Sequence, residues 1–365
     1  MNPDSSSFSS IWAARTPTFS VAGQSELLTI SASDAIEDTM DINLLRKTPD
    51  LRGVADIRLV TLEDGPARGQ RLLIARNAKG ISFEIAVDRG FDVSSLSFKG
   101  VNIGWNSPAQ MRFPPSDPGS EDGWGFLRNF DGFMVTCGLD HVSRPRETDI
   151  SHYGHPHLKT RKMPQHGRIS TEKARLVGYG VDQGSEEIFC EGIVRQASVF
   201  GETLELRRRV TLGIFASEIV IDDVVTNRGF VPSHHAMIYH LNLGYPFLDE
   251  NLEFTGLPEL LAAKMLVEQP LPNDKYGERV DSVDSRDIPW SDPIMLSNPA
   301  LDVSVGLSFS RTHLNRLAIW RAYQSGMYAL GVEPRTDIAE DRPLLQPGES
   351  CNYTIGLVFG SYEGA

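Results

Sequence analysis

Alternation is the feature that most constrains this chain. Ile81, Phe83, Ile85 and Val87 are separated by Ser82, Glu84, Ala86 and Asp88, the period of a strand with one face in a core. Leu204, Leu206, Val210 and Leu212 repeat the pattern against Thr203, Glu205, Arg207, Arg209 and Thr211, with Arg208 breaking the apolar face. The β-branched run Glu218 to Thr226 follows at once, so the two segments predict a hairpin. Short apolar runs recur at Val303 to Phe309, Leu317 to Trp320, Met327 to Val332 and Tyr353 to Phe359, with turn residues between them. Helical candidates are few and short, around Asp34 to Leu45 and Glu259 to Leu266. Many strands and almost no long segments of 3.6-residue period predict an all-β sandwich.

The chain has 365 residues, enough for one large β domain. Residues 1–50 read as an N-terminal extension and residues 51–365 as the sandwich domain. The formal net charge is −13, and an acidic surface repels phosphate backbones and anionic lipid. Nucleic acid and membrane are therefore not expected partners. Cys137, Cys190 and Cys351 are odd in number and far apart, which argues against a disulfide framework and suits a reducing compartment. The first residues lack a basic segment followed by an apolar run, and no stretch reaches the ~18 apolar residues of a membrane helix. The expected location is the cytoplasm.

Two polar stretches, Pro108 to Gly123 and Arg144 to Gln165, read as long loops of the kind that carry binding groups on a rigid sheet. Four residue sets carry chemistry. His166 closes the second loop in Gln165-His166-Gly167-Arg168-Ile169-Ser170. His240 lies within the apolar run Met237 to Gly244, with Asn242 two residues on. Glu333 ends the apolar run Tyr328 to Val332, immediately before Pro334, which is expected to stop the ladder. Arg128 lies among aromatics, between Trp124 and Phe133. Taken alone, each has a structural reading: a histidine inside a β run is commonly packed core, and a carboxylate at a strand end is commonly an ion-pair partner. A buried carboxylate without a cation, however, becomes a base that works near neutral pH. An arginine among aromatics can offer its fork of donors to sugar hydroxyls, or pair with Asp131. Trp105 and Trp124 are candidates for stacking under a pyranose ring.

In chain order, His166-Gly167, His240 with Asn242, Glu333-Pro334 and Leu345-Gln346-Pro347-Gly348-Glu349 resemble the aldose 1-epimerases, the galactose mutarotase-like superfamily. Val225-Thr226-Asn227-Arg228-Gly229 resembles the strand and turn that precede the second histidine there. Asp88-Arg89-Gly90, Phe133-Met134-Val135-Thr136-Cys137-Gly138-Leu139 and His166-Gly167-Arg168-Ile169-Ser170 resemble a little-characterised bacterial branch of the same superfamily. The resemblance spans residues 80 to 360. It implies a β-supersandwich with few short helices and a sugar cleft on one concave face. It further implies that His240 is the general acid at the ring oxygen and Glu333 the general base at the anomeric hydroxyl. His166 and Arg128 would bind the sugar, helped by Trp124, Asn242 and an aspartate, Asp274 or Asp249.

Such a reaction needs one acid and one base beside a single carbon, both with pKa values near neutrality. It requires no metal, nucleotide or covalent intermediate, so no cofactor is expected, and the partner is a small-molecule sugar. No phosphate loop or dinucleotide fingerprint contradicts this. Two rival readings stand beside it. His155 and His157, at positions i and i+2 of an extended segment, could join His166 around a divalent ion, giving a metal-dependent isomerase, epimerase or lyase for a keto or acidic sugar. Alternatively, the fold could serve as a non-catalytic sugar-binding protein.

Overall fold

Two antiparallel sheets face each other across one apolar core in the computed structural model, which describes residues 42–113, 117–257, 261–262, 270–287, 293–336 and 343–362. The first has ten strands. Along its main path these are Asp56–Thr61, Arg71–Arg76, Ile81–Ala86, Asp92–Phe98, Met134–Leu139, Ala236–Leu243, Ala329–Arg335, Arg316–Ala322 and Arg279–Asp284; Val101–Asn102 pairs off the path. The second has eight strands, centred on Ser350–Gly360, Glu218–Asn227 and Thr203–Gly213. Most of the extension predicted over residues 1–50, and most of both predicted helices, lie outside the described residues. What is described there is a short helix at Ile42–Lys47. Among the described residues no helix is long and apolar enough to cross a membrane.

Period-2 alternation assigns the faces. Met134, Tyr239, Leu241, Leu317, Ile319, Leu330 and Val332 point between the sheets into the main core. Their neighbours Val135, Cys137, Ala236, Ile238, Trp320, Ala322 and Ala329 point outward, yet they too are buried, in a second cluster with Trp105, Phe126 and Phe130. The loops between Ile103 and Phe133 therefore roof the outer face of the central strands. This explains why Met237 to Gly244 reads as a continuous apolar run: Ala236–Leu243 is buried at every position. The site described below lies in this roofed layer.

Arg208, which breaks the apolar face of its strand, is fully buried between the sheets. Its guanidinium donates to Asp223 Oδ1 and Oδ2 at 2.9 and 2.7 Å, to Thr136 Oγ1 at 2.8 Å and to the Phe91 carbonyl at 3.2 Å. The Tyr239 hydroxyl donates to Asp223 Oδ2 at 2.6 Å. Arg208 and Asp223 belong to the second sheet, Thr136 and Tyr239 to the first. The network thus fastens the inner face of the strands whose outer face carries Val135 and His240. A buried charge survives only when paired and hydrogen-bonded, and removing one partner of such a pair costs about 3–5 kcal/mol. Asp223→Ala should lower the urea unfolding free energy by that amount; a loss below about 1 kcal/mol would show that the network does not hold the sheets together.

Candidate active site

His240 and Glu333 meet across two neighbouring strands. The antiparallel register sets Ile238 opposite Arg335 and Leu241 opposite Val332, which places His240 opposite Glu333 on the roofed face. Opposite residues on one face are the closest side-chain neighbours a sheet provides. His240 Nε2 lies 3.3 Å from Glu333 Oε1, with both side chains about 95% buried. Pro334 lies inside the strand Ala329–Arg335 rather than ending it. Lacking an N–H, it leaves the ladder to Ala236–Leu243 with bridge pairs on either side of this point and none at it.

Three features orient the imidazole. His240 Nδ1 lies 2.6 Å from Asn242 Oδ1, and the Asn242 amide nitrogen donates to the Gly132 carbonyl at 3.0 Å. The amide orientation is thus set, Nδ1 carries the proton, and Nε2 is left facing Glu333. Phe130 and Trp320 pack edge-on against the ring, with centroids at 4.8 and 5.4 Å. At Gly331, one register step from Glu333 on the same face, a Cβ would come within 2.9 Å of His240 Cε1 and 3.1 Å of the Trp320 ring. Only glycine leaves room for the imidazole there.

His166 reaches the same place from the loop side. Its ring centroid is 5.8 Å from that of His240 and 5.0 Å from Phe126. Its φ is +56° and that of Gly167 is +75°, so the chain makes a tight left-handed turn at the end of the loop; the next strand begins at Ala174. A Cβ on Gly167 would fall 2.0 Å from the Gly138 carbonyl oxygen, so the turn can dock against Met134–Leu139 only with glycine at that position. The amide of Ser143 approaches His166 Nδ1 at 3.4 Å.

These groups line a cavity of about 490 Å³, within the usual range for small-molecule sites. Its walls include Trp105, Trp124, Phe130 and Trp320, and its remaining charged side chains among the described residues are Arg144, Glu278 and Arg335. The Trp320 indole N–H donates to Glu278 at 3.1 Å. Burial pulls the His166 imidazole down to about 3, with His240 adding to the effect. Burial pulls His240 down to about 4 against the opposing bond to Asn242. Burial raises the Glu333 carboxyl, against the opposing influence of His166 and the Arg335 guanidinium.

Of the residues expected from sequence, His166, His240, Glu333, Trp105 and Trp124 line this cavity. Asn242 stands behind His240, fully buried, and is not part of the lining. Arg128 is turned away: it is exposed and pairs with Glu121 at 2.5 Å, because the short helical turn carrying it presents Phe126 inward instead. Asp274 sits on an exposed turn, and Asp249 accepts from Asn298 and Asn251. Neither aspartate lines the cavity; among the described residues the carboxylate that does, besides Glu333, is Glu278. In sequence it stands just ahead of the polar run Arg279–Asp284, where no pattern separates it from nearby acidic residues. His155 and His157 neighbour each other on an exposed loop, with ring centroids 6.3 Å apart, and His155 Nδ1 accepts from the backbone of His157 and Leu158. His166 does not join them. Among the described residues no three His, Cys, Asp or Glu side chains are grouped to hold a metal ion.

A sequence profile of the family described as domain of unknown function (DUF4432) matches residues 67–353. The chain belongs to this family. No curated protein matches it. Among solved structures, this DUF4432 chain is similar to a protein from Klebsiella pneumoniae provisionally named an aldose 1-epimerase. The TM-score is 0.72 at 22% identity, over 83% of each chain. A galactose mutarotase-like protein from Clostridium acetobutylicum gives 0.61 at 14% identity, over 85% of this chain and all of that one. The galactose 1-epimerase of Lactobacillus acidophilus gives 0.56 at 14% identity, with the same coverage. At these identities the likeness is one of fold: the DUF4432 domain is a galactose mutarotase-like β-sandwich.

An imidazole lowered from its ordinary value, near 6.5, adds stability above that pH and loses it as the pH falls through the folded value. His240 should therefore contribute fully above pH 6.5 and progressively less down to about 4. Between those limits the unfolding midpoint of wild type should fall further than that of His240→Gln. Parallel curves for the two proteins would contradict the burial of a neutral imidazole at this position.

Proposed function

We propose that this protein is a sugar mutarotase in which His240 and Glu333 act as one proton-exchanging pair. The observation that carries the reading is their 3.3 Å contact at an aromatic-walled cavity. Two bare acceptors facing each other out of water would both be unsatisfied. With Nδ1 committed to Asn242, the pair holds a single proton between Nε2 and the carboxyl group.

Ring opening of an aldose consumes that arrangement without net change. A proton leaves the anomeric hydroxyl, the C1–O5 bond breaks, and a proton arrives on O5. After rotation about C1–C2 the steps reverse on the other face. O1 and O5 are bonded to the same carbon, so two groups in near contact can reach both. At 3.3 Å the free contact is longer than a usual N–H···O bond, and an entering sugar replaces it with its own oxygens. In this assignment the proton that burial holds on the Glu333 carboxyl in the free site passes to His240 Nε2 as the sugar enters, Nε2 delivers it to O5, and the Glu333 carboxylate receives the one from O1. His166, buried and neutral with Nδ1 facing the Ser143 amide, donates from Nε2 to a sugar hydroxyl oxygen. Glu278 takes the hydroxyl-binding part expected of an aspartate, and Trp124 and Trp320 offer apolar faces to the ring.

Acid–base groups of this kind contribute about 10²–10⁴-fold each. Glu333→Gln and His240→Asn, checked for folding by circular dichroism, should each slow anomer exchange by at least 10²-fold in exchange NMR on a panel of aldoses. Wild-type protein that leaves every aldose at its uncatalysed rate would end this reading. Asn242→Leu separates positioning from binding: the exchange rate should fall about tenfold while sugar affinity stays within about twofold. A loss of affinity with an unchanged rate would make Asn242 a sugar ligand instead.

A further inference from the structure

The sequence carries a formal charge of −13, yet the cavity does not share that sign. Among the described residues its charged lining is Arg144, Arg335, Glu278 and Glu333. With one proton on the His240–Glu333 pair, the described charged lining that remains is Arg144, Arg335 and the Glu278 carboxylate. The two arginines differ in their surroundings. Arg335 ends the strand that carries Glu333, donates to Ser282 Oγ at 3.2 Å, and opposes protonation of both His166 and His240. It supplies positive potential at the reacting end.

Arg144 has a fixed backbone and an uncommitted head. Its carbonyl accepts from Nε2 of the buried His141 at 2.9 Å. The preceding residue, Ser143, exchanges contacts with His166: the His166 amide donates to the Ser143 carbonyl at 2.9 Å, and the Ser143 amide approaches His166 Nδ1. The guanidinium itself makes no hydrogen bond or ion pair among the described residues. By contrast, Arg128, Arg161, Arg195 and Arg228 all pair with carboxylates. An unpartnered arginine on an anchored backbone, at the wall of a cavity inside an acidic protein, is matched to an anion, which its fork can bind through two oxygens at once.

We propose that the sugar bound here is anionic, carrying a carboxylate or phosphate group remote from C1 that pairs with Arg144. The inference rests on the mutarotase reading for the placement of C1 at His240 and Glu333, but its test does not. The charge on Arg144 selects among sugars, while the aromatic walls and the proton-exchanging pair serve any aldose. Affinity should fall with added salt, as expected of a rim-exposed charge contact.

Calorimetry on wild type and Arg144→Gln provides the test. The probes are neutral hexoses, hexuronates and hexose 6-phosphates in the gluco and galacto configurations. At least one anionic sugar should bind wild type ten-fold or more tighter than its neutral counterpart, and Arg144→Gln should abolish that preference while leaving neutral-sugar affinity unchanged. The uronate and phosphate arms identify which anion is read. Neutral sugars binding as tightly as anionic ones, anionic affinity within twofold in Arg144→Gln, or no anionic sugar binding at all would each overturn the inference. Exchange NMR on the same samples keeps the two claims apart. Anion binding that depends on Arg144 without accelerated anomer exchange would refute the mutarotase reading alone. Accelerated exchange of neutral sugars only would refute the anionic substrate alone.

Discussion

The cross-strand pairing of Ala236–Leu243 with Ala329–Arg335 is the contact on which everything else in the site depends. One register places an imidazole and a carboxyl group on the same face of a sheet, opposite each other, from residues 93 positions apart in the chain. A slip of one residue would turn either group into the core between the sheets. That register is fixed from behind. Tyr239, next to His240, is tied through Asp223 to Arg208 on the opposing sheet, and Thr136 on the adjoining strand is tied to the same guanidinium. In front, Asn242, Phe130 and Trp320 leave the imidazole one orientation. The site is thus built on strands and only roofed by loops, which suits chemistry that needs fixed positions more than mobility.

Much of the architecture was legible because strand burial leaves a period-2 signature. The hairpin predicted from Thr203 to Thr226 is present as Thr203–Gly213 paired with Glu218–Asn227. His166, His240 and Glu333 could be singled out because histidine is scarce and a carboxylate ending an apolar run is unusual. What the sequence could not show was the second buried layer. Covering both faces of the central strands erases alternation, so His240 taken alone read as packed core more readily than as part of a cleft. Arg208 looked like an interruption, because the carboxylate that neutralises it lies on the neighbouring strand.

Arg128 and the aspartates failed for a different reason. Which way a loop side chain points depends on the turn that carries it, and composition does not encode that direction. The turn Gly125–Arg128 buries Phe126 and sends Arg128 to Glu121. The cavity charges came instead from Arg144, Glu278 and Arg335, residues on no motif. Fold and family therefore bound what the protein does, while the wall of the cavity carries what distinguishes it from its neighbours.

The central claim is that a single proton is shared by His240 and Glu333, with a second held on Nδ1 by Asn242. Neutron diffraction from a deuterated crystal near pH 7 observes this directly. The account predicts a deuteron on His240 Nδ1 directed at Asn242 Oδ1, and another between Nε2 and Glu333 Oε1. An empty space between Nε2 and the carboxylate, or a bare Nδ1, would contradict it.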